Sequence, residues 1–298
     1  MSQQITLSQG TVAYRHTGQG YPLILLHGWG GSSRYWLGTA TEFADVRTIY
    51  ALDLPGFGDS PPSNTNATID RLAELVIEFA DRLHIDQFDL NGHSLGAAVA
   101  AYLAAHWPAR VNRLVLSNFS IPSTCAEQYL FQQTHYQAKM TLPFWRPWFA
   151  LSQPWLALWR PWIVEAWSSP PLAQMSLTRF FYNPPTNQRL ITAGFHDFGR
   201  MDLRTSIESS ASMGDPKLLQ ALKKIPVPTL LIAARQDMVT PPAGAEAAVE
   251  LIPQCELAWI EECGHVPMIE QPEVYNQILR EFLVPTVDVP SLDDSAAF

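Results

Sequence analysis

At 298 residues and 47% hydrophobic, the chain can bury a large core, either as one big domain or as one domain carrying an insertion. Its 28 acidic residues against 19 basic leave a formal net charge of −9, which argues against a nucleic-acid surface and against general attraction to anionic lipid. Three cysteines, Cys125, Cys255 and Cys263, form no C-x-x-C pair, so reduced thiols in a cytoplasmic setting are the simplest account; neither a signal peptide nor a run of about 18 apolar residues is visible.

Residues 3 to 16 alternate in the way of a β-hairpin, with Ile5 and Leu7, then Val12 and Tyr14, around Ser8-Gln9-Gly10. Leu23-Ile24-Leu25-Leu26 is a continuous apolar run, the mark of a strand covered on both faces. It leads into His27-Gly28-Trp29-Gly30-Gly31, a cluster able to bring backbone N–H groups close to a substrate oxygen or simply to make a turn. Val46 to Leu52 reads as the next buried strand and ends in turns built by Asp53-Leu54-Pro55-Gly56-Phe57-Gly58-Asp59-Ser60. Asp53 suits a turn-stabilising carboxylate better than a catalytic one. Residues 68 to 84 carry Ile69, Leu72, Val76, Phe79 and Leu83 at helical spacing.

Phe88 to Leu90 is a short strand, and Gly92-His93-Ser94-Leu95-Gly96 follows it and opens an alanine-rich helix that Pro108 stops. This is the G-x-S-x-G pattern in its strand-turn-helix context, where the turn is so tight that its flanking residues must be minimal. Arg113 to Ser117, Val227 to Ala234 and Glu256 to Ile260 supply three more strands, and Pro272 to Leu283 a last helix. Strands separated by helices imply an α/β fold, a mostly parallel, doubly wound sheet. Asp237 and His265 each follow one of these strands by a few residues, at the edge where such sheets place their chemistry.

Residues 120 to 215 break the alternation. Within them Pro-Trp recurs at 147, 154 and 161, and six of the ten tryptophans lie between 145 and 167. A proline every seventh residue predicts short helical turns rather than one long helix, with Trp148, Trp155 and Trp162 on a common face. Those rings suit a small core of the segment itself, the lining of a large apolar pocket, or contact with the periphery of a membrane, where Arg146 and Arg160 would snorkel to headgroups. In Phe195-His196-Asp197-Phe198, His196 is a candidate pocket histidine that more simply packs in the same segment. The stretch 284–298 lacks periodicity and reads as a mobile acidic tail.

On His27-Gly28-Trp29-Gly30, the turn from Asp53 to Ser60, Gly92 to Gly96, Asp237 and Gly264-His265, the sequence resembles the α/β-hydrolase superfamily over residues 10 to 120 and 225 to 283. The resemblance implies a hydrolase core at 1–119 and 216–283, with a helical cap inserted at 120–215. It also implies a triad in the order Ser94, Asp237, His265, with the N–H groups of Trp29 and Leu95 as an oxyanion hole. Ala234 and Ala97 stand where many members carry glycine, which bears on subfamily. A serine in place of aspartate points away from the haloalkane dehalogenases and epoxide hydrolases. The implied activity is hydrolysis of a carboxylic ester with a bulky apolar or lipid-like portion, with carbon–carbon cleavage of a diketone, or ligand binding without turnover, as alternatives. No phosphate loop or zinc spacing is present, so neither cofactor nor metal is expected. Oligomeric state stays open.

Overall fold

The computed structural model describes residues 2–167 and 169–284. One sheet holds β1 (Ser2–Leu7), β2 (Gly10–Gly18), β3 (Tyr21–Leu26), β4 (Arg47–Leu52), β5 (Phe88–His93), β6 (Val111–Ser117), β7 (Thr229–Ala234) and β8 (Cys255–Ile260). Their spatial order is β1-β2-β4-β3-β5-β6-β7-β8. The predicted hairpin, β1 with β2, forms an antiparallel edge and β2 meets β4 antiparallel, while every pairing from β4 to β8 is parallel. A tight turn can join antiparallel neighbours, whereas parallel ones need a crossover.

The crossovers come in chain order. α1 (Leu37–Phe43) connects β3 to β4, α2 (Ile69–Arg82) connects β4 to β5, and α3 (Leu95–His106) connects β5 to β6. Between β6 and β7 lie α4 (Cys125–Trp167), α5 (Pro170–Leu177), α6 (Gln188–Arg200), α7 (Leu203–Ser212) and α8 (Pro216–Leu222). α9 (Pro242–Leu251) joins β7 to β8, and α10 (Pro267–Glu270) and α11 (Pro272–Leu283) follow.

Alternation along β3 divides the core in two. Ile24 and Leu26 join α2 and α3 in one cluster, and Leu23 and Leu25 join Phe43 of α1 with Tyr275 and Leu279 of α11 in the other. All four β3 side chains are fully buried, as an apolar run covered on both faces requires. β3 sits between β4 and β5: the chain steps from β3 to β4 on one side and then crosses back to β5 on the other. That reversal opens a crevice beyond the C-terminal ends of β3 and β5, where α/β sheets bind ligands.

One expectation is corrected. α4 is assigned as a single 43-residue helix that runs through Pro143, Pro147, Pro154 and Pro161. Each proline removes a bond to the carbonyl four residues back, at roughly 3 kcal/mol. Seven-residue spacing sets Pro147, Pro154 and Pro161 on one stripe, and all four prolines are exposed, so water can reach that side of the helix. Packing of α4 against α6 and α7 overrides the local preference. The acidic tail, from residue 285 onward, lies outside the described residues.

Candidate active site

Ser94 ends the turn between β5 and α3 at φ 52, ψ −113, a left-handed φ that a residue with a Cβ rarely adopts. Such a conformation costs on the order of 1–3 kcal/mol and persists only where its surroundings hold it. Two glycines allow the turn. A Cβ on Gly92 would stand 2.2 Å from the carbonyl oxygen of Gly96, and one on Gly96 would stand 2.4 Å from that of Leu26. The Ser94 N–H donates to the Ser117 carbonyl at 2.9 Å, tying the turn to β6.

Past the ends of β7 and β8, Asp237 and His265 meet. His265 Nδ1 lies 2.8 Å from Asp237 Oδ2, and both side chains are buried. The same Oδ2 accepts from Asn118 Nδ2 at 2.7 Å and from the Thr240 hydroxyl, while Oδ1 accepts the N–H groups of Val239 at 2.7 Å and Thr240 at 2.9 Å. Burial by itself would raise the Asp237 pKa. The hydrogen bond and charge of His265, with the bonds from Thr240, outweigh it and bring the carboxyl down to about 2. A carboxylate so held stays charged at every ordinary working pH and fixes the imidazole tautomer with its proton on Nδ1.

His93 supports His265 from below. Its Nε2–H donates to the His265 carbonyl at 2.7 Å, and the two rings are 4.8 Å apart. Burial first, then the charge of His265, pushes the His93 pKa down to about 3, so the ring is neutral. His93 is a packed, structural residue.

Ser94 and His265 line one cavity of about 190 Å³, room on the order of ten waters. Its walls are mostly apolar and include Trp29, Phe180, Phe181, Phe198, Val266 and Ile269. One ion pair interrupts them. Asp197, buried on α6, accepts from Arg34 at 2.6 Å and from Ser32 Oγ at 2.5 Å, and Arg34 also reaches Asp59 at 3.2 Å. This joins α6 to the loop after β3. Of the stretch in which His196 was the candidate, Phe195, Asp197 and Phe198 line the cavity, whereas His196 faces a separate surface groove.

The three tryptophans proposed for the pocket are corrected. Trp148, Trp155 and Trp162 are 65%, 69% and 72% exposed and stand outside the cavity wall; Trp167 is the ring of that run that reaches it. They do share a face, but it is turned to solvent, while Phe149, Leu156 and Val164 are among the half-buried positions of α4. Asp53 is also settled as structural. It is fully buried and accepts the N–H groups of Ser33 at 2.5 Å and Asp59 at 3.0 Å.

The loop after β3 comes against the serine: a Cβ on Gly28 would lie 3.1 Å from Ser94 Cβ and 2.7 Å from His93 Nδ1. Trp29 follows, its indole N–H bonded to the Ser206 carbonyl at 2.9 Å and its ring edge-on to Phe198. Leu95 opens α3, so its N–H has no acceptor within the helix. A left-handed serine after a buried strand, a carboxylate-bound histidine and a mostly apolar cavity thus bring a hydroxyl and an imidazole to one wall.

The family model for the alpha/beta hydrolase fold matches residues 21–272. The chain belongs to this family. Among curated relatives of this α/β hydrolase, a pimeloyl-[acyl-carrier protein] methyl ester esterase of Nitrosomonas europaea is 28% identical, covering 87% of this chain and 94% of its own. A 2-hydroxymuconate semialdehyde hydrolase of Pseudomonas putida is 29% identical over 89% and 88%. Among solved structures, a bacterial membrane phospholipase A superimposes with a TM-score of 0.71 at 26% identity, over 95% of this chain and 85% of that one. No helix among the described residues is long and apolar enough to cross a membrane.

Proposed function

We propose that this α/β hydrolase cleaves a carboxylic ester carrying a bulky apolar group, through an acyl-enzyme on Ser94. The observation that carries the proposal is the 2.8 Å contact between His265 and Asp237 on the wall of the same apolar cavity that Ser94 enters. With Nδ1 held by Asp237, Nε2 is the ring nitrogen left to take the proton from Ser94 Oγ as it attacks the ester carbonyl. The N–H groups of Trp29 and Leu95 receive the oxyanion, each donor contributing about 3 kcal/mol in the transition state. The tetrahedral adduct collapses as His265 returns the proton to the leaving alcohol. Water, deprotonated by His265, then attacks the acyl-enzyme, releases the carboxylic acid and restores the serine.

An esterase and a phospholipase A among the similar chains favour an ester. The aromatic and aliphatic cavity accounts for the apolar part of the substrate. In a series of nitrophenyl esters of rising acyl length, kcat/KM is expected to climb by up to about fourfold per methylene until the cavity is filled. A folded protein that turns over no ester of the series but cleaves a vinylogous diketone would move the assignment to carbon–carbon hydrolysis.

Gly28→Ala tests the oxyanion geometry. Its methyl has no room beside His93 and Ser94, so the backbone leading to Trp29 must shift. The expected result is a fall in kcat of about 10- to 100-fold with KM little changed. An unaltered kcat would remove Trp29 from the oxyanion hole.

A further inference from the structure

We propose that the outer face of α4 docks on the surface of a lipid bilayer containing anionic headgroups. Met140, Phe144, Trp148, Leu151, Trp155 and Trp162 fall within one arc of this helix at 100° per residue, and all are exposed. With Trp145, Trp159 and Trp167, the six indoles of the segment are each about half exposed or more. Together they present on the order of 700 Å² of ring surface to solvent. Monomeric proteins ordinarily carry apolar patches of only a few hundred Å².

The helix is inverted relative to an ordinary surface helix. Its largest apolar side chains point outward, while Phe149, Leu156 and Val164 are half-buried and Val164 lies against Gly199 of α6. A helix apolar on both sides is stable only where both sides have an apolar neighbour. The protein supplies one of them.

Three features select a bilayer surface as the other. Tryptophan, with an apolar body and a polar N–H, concentrates at the membrane–water boundary. Between residues 128 and 164 the charged residues are Lys139, Arg146 and Arg160, all basic, in a chain whose net charge is −9. The general repulsion of an acidic protein from anionic lipid is therefore reversed over this one segment. On its flank, Arg160 lines a groove with His196 and Arg200 against the single acid Glu165. No described helix is able to span, so the helix lies in the interface plane.

The surface continues to the cavity. Trp167 at the end of α4 and the exposed Leu190 line it, and the exposed Met175 directly precedes its lining residues Ser176 and Leu177. A membrane against α4 would lie next to the apolar rim. Docking itself does not require the Ser94 chemistry.

The test is vesicle flotation of the Ser94→Ala protein, which binds without turnover. Phosphatidylcholine vesicles containing phosphatidylglycerol are compared with pure phosphatidylcholine. The expected result is co-flotation with the mixed vesicles, a blue shift of tryptophan emission, and weaker binding to pure phosphatidylcholine. The triple substitution Trp148→Ser, Trp155→Ser, Trp162→Ser is expected to weaken mixed-vesicle binding by about 100-fold. In the Ser94 background it should leave the thermal midpoint and the turnover of a short soluble ester unchanged. Wild-type protein that floats with neither vesicle overturns the proposal, as does a triple variant that binds like the parent. A lipid-free dimer that the same triple variant dissolves would overturn it too, because a second copy would then cover the face. Loss of ester turnover alone would count against the hydrolase assignment and leave the flotation result standing.

Discussion

Ser94→Ala and His265→Ala are each expected to lower kcat/KM on the best ester by at least about 10⁴-fold, and the double variant to be no worse than the poorer single one. In the proposed mechanism the two side chains act as one unit. Without the hydroxyl there is no nucleophile for the base to activate, and without the base the hydroxyl stays protonated. The fold should be indifferent to the first change. Ser94→Ala keeps the Cβ that already tolerates φ 52, and the bond from the residue 94 N–H to Ser117 is a main-chain one. Unfolding midpoints that match within the usual scatter of surface substitutions, about 0.5 kcal/mol, would separate lost chemistry from lost structure. If the two losses multiplied instead, the residues would be acting independently and the shared role would be wrong.

Asp237→Asn is the second large effect, about 10³- to 10⁴-fold in kcat at neutral pH. The carboxylate accepts from His265, Asn118, Thr240 and two main-chain N–H groups at once. A carboxamide has one oxygen, so its NH₂ must face donors, and the imidazole loses the partner that fixes its tautomer. The change also removes a pH-dependent part of stability. Because the folded carboxyl titrates at about 2 rather than 3.8, it contributes on the order of 2 kcal/mol. A lowered pKa stabilises above the unfolded value, so this contribution is full above about pH 4 and is lost as the pH falls toward 2. Urea unfolding at pH 6 and pH 3 is the check. The gap between wild type and variant should be wide at pH 6 and narrower at pH 3; a gap that does not change with pH would mean that the carboxylate is not held by its partners.

The sheet was legible where its strands carry uninterrupted apolar runs, such as Leu23 to Leu26 and Leu230 to Ala234, which suit a strand covered on both faces, and where β1 and β2 alternate. The placement of Ser94, Asp237 and His265 at one sheet edge was legible for a different reason: each lies just past a strand, and a parallel sheet delivers those ends to one edge. Two things were not. The proline spacing of α4 speaks only of local cost, whereas the helix is held by α6 and α7, whose positions no local pattern records. The pair of Arg34 with Asp197 bridges 163 positions, and in its stretch His196 is the more familiar reactive residue type. Asn118, at φ 45 beyond β6, gave a signal only in its backbone and in the bond it donates to Asp237.

The most direct test of Ser94 as an activated nucleophile is labelling by a fluorophosphonate probe with mapping of the modified peptide. The result expected is one adduct, on Ser94, in the wild-type protein and none in Ser94→Ala or His265→Ala. A folded wild type that stays unlabelled, or a label that persists in Ser94→Ala, would contradict it.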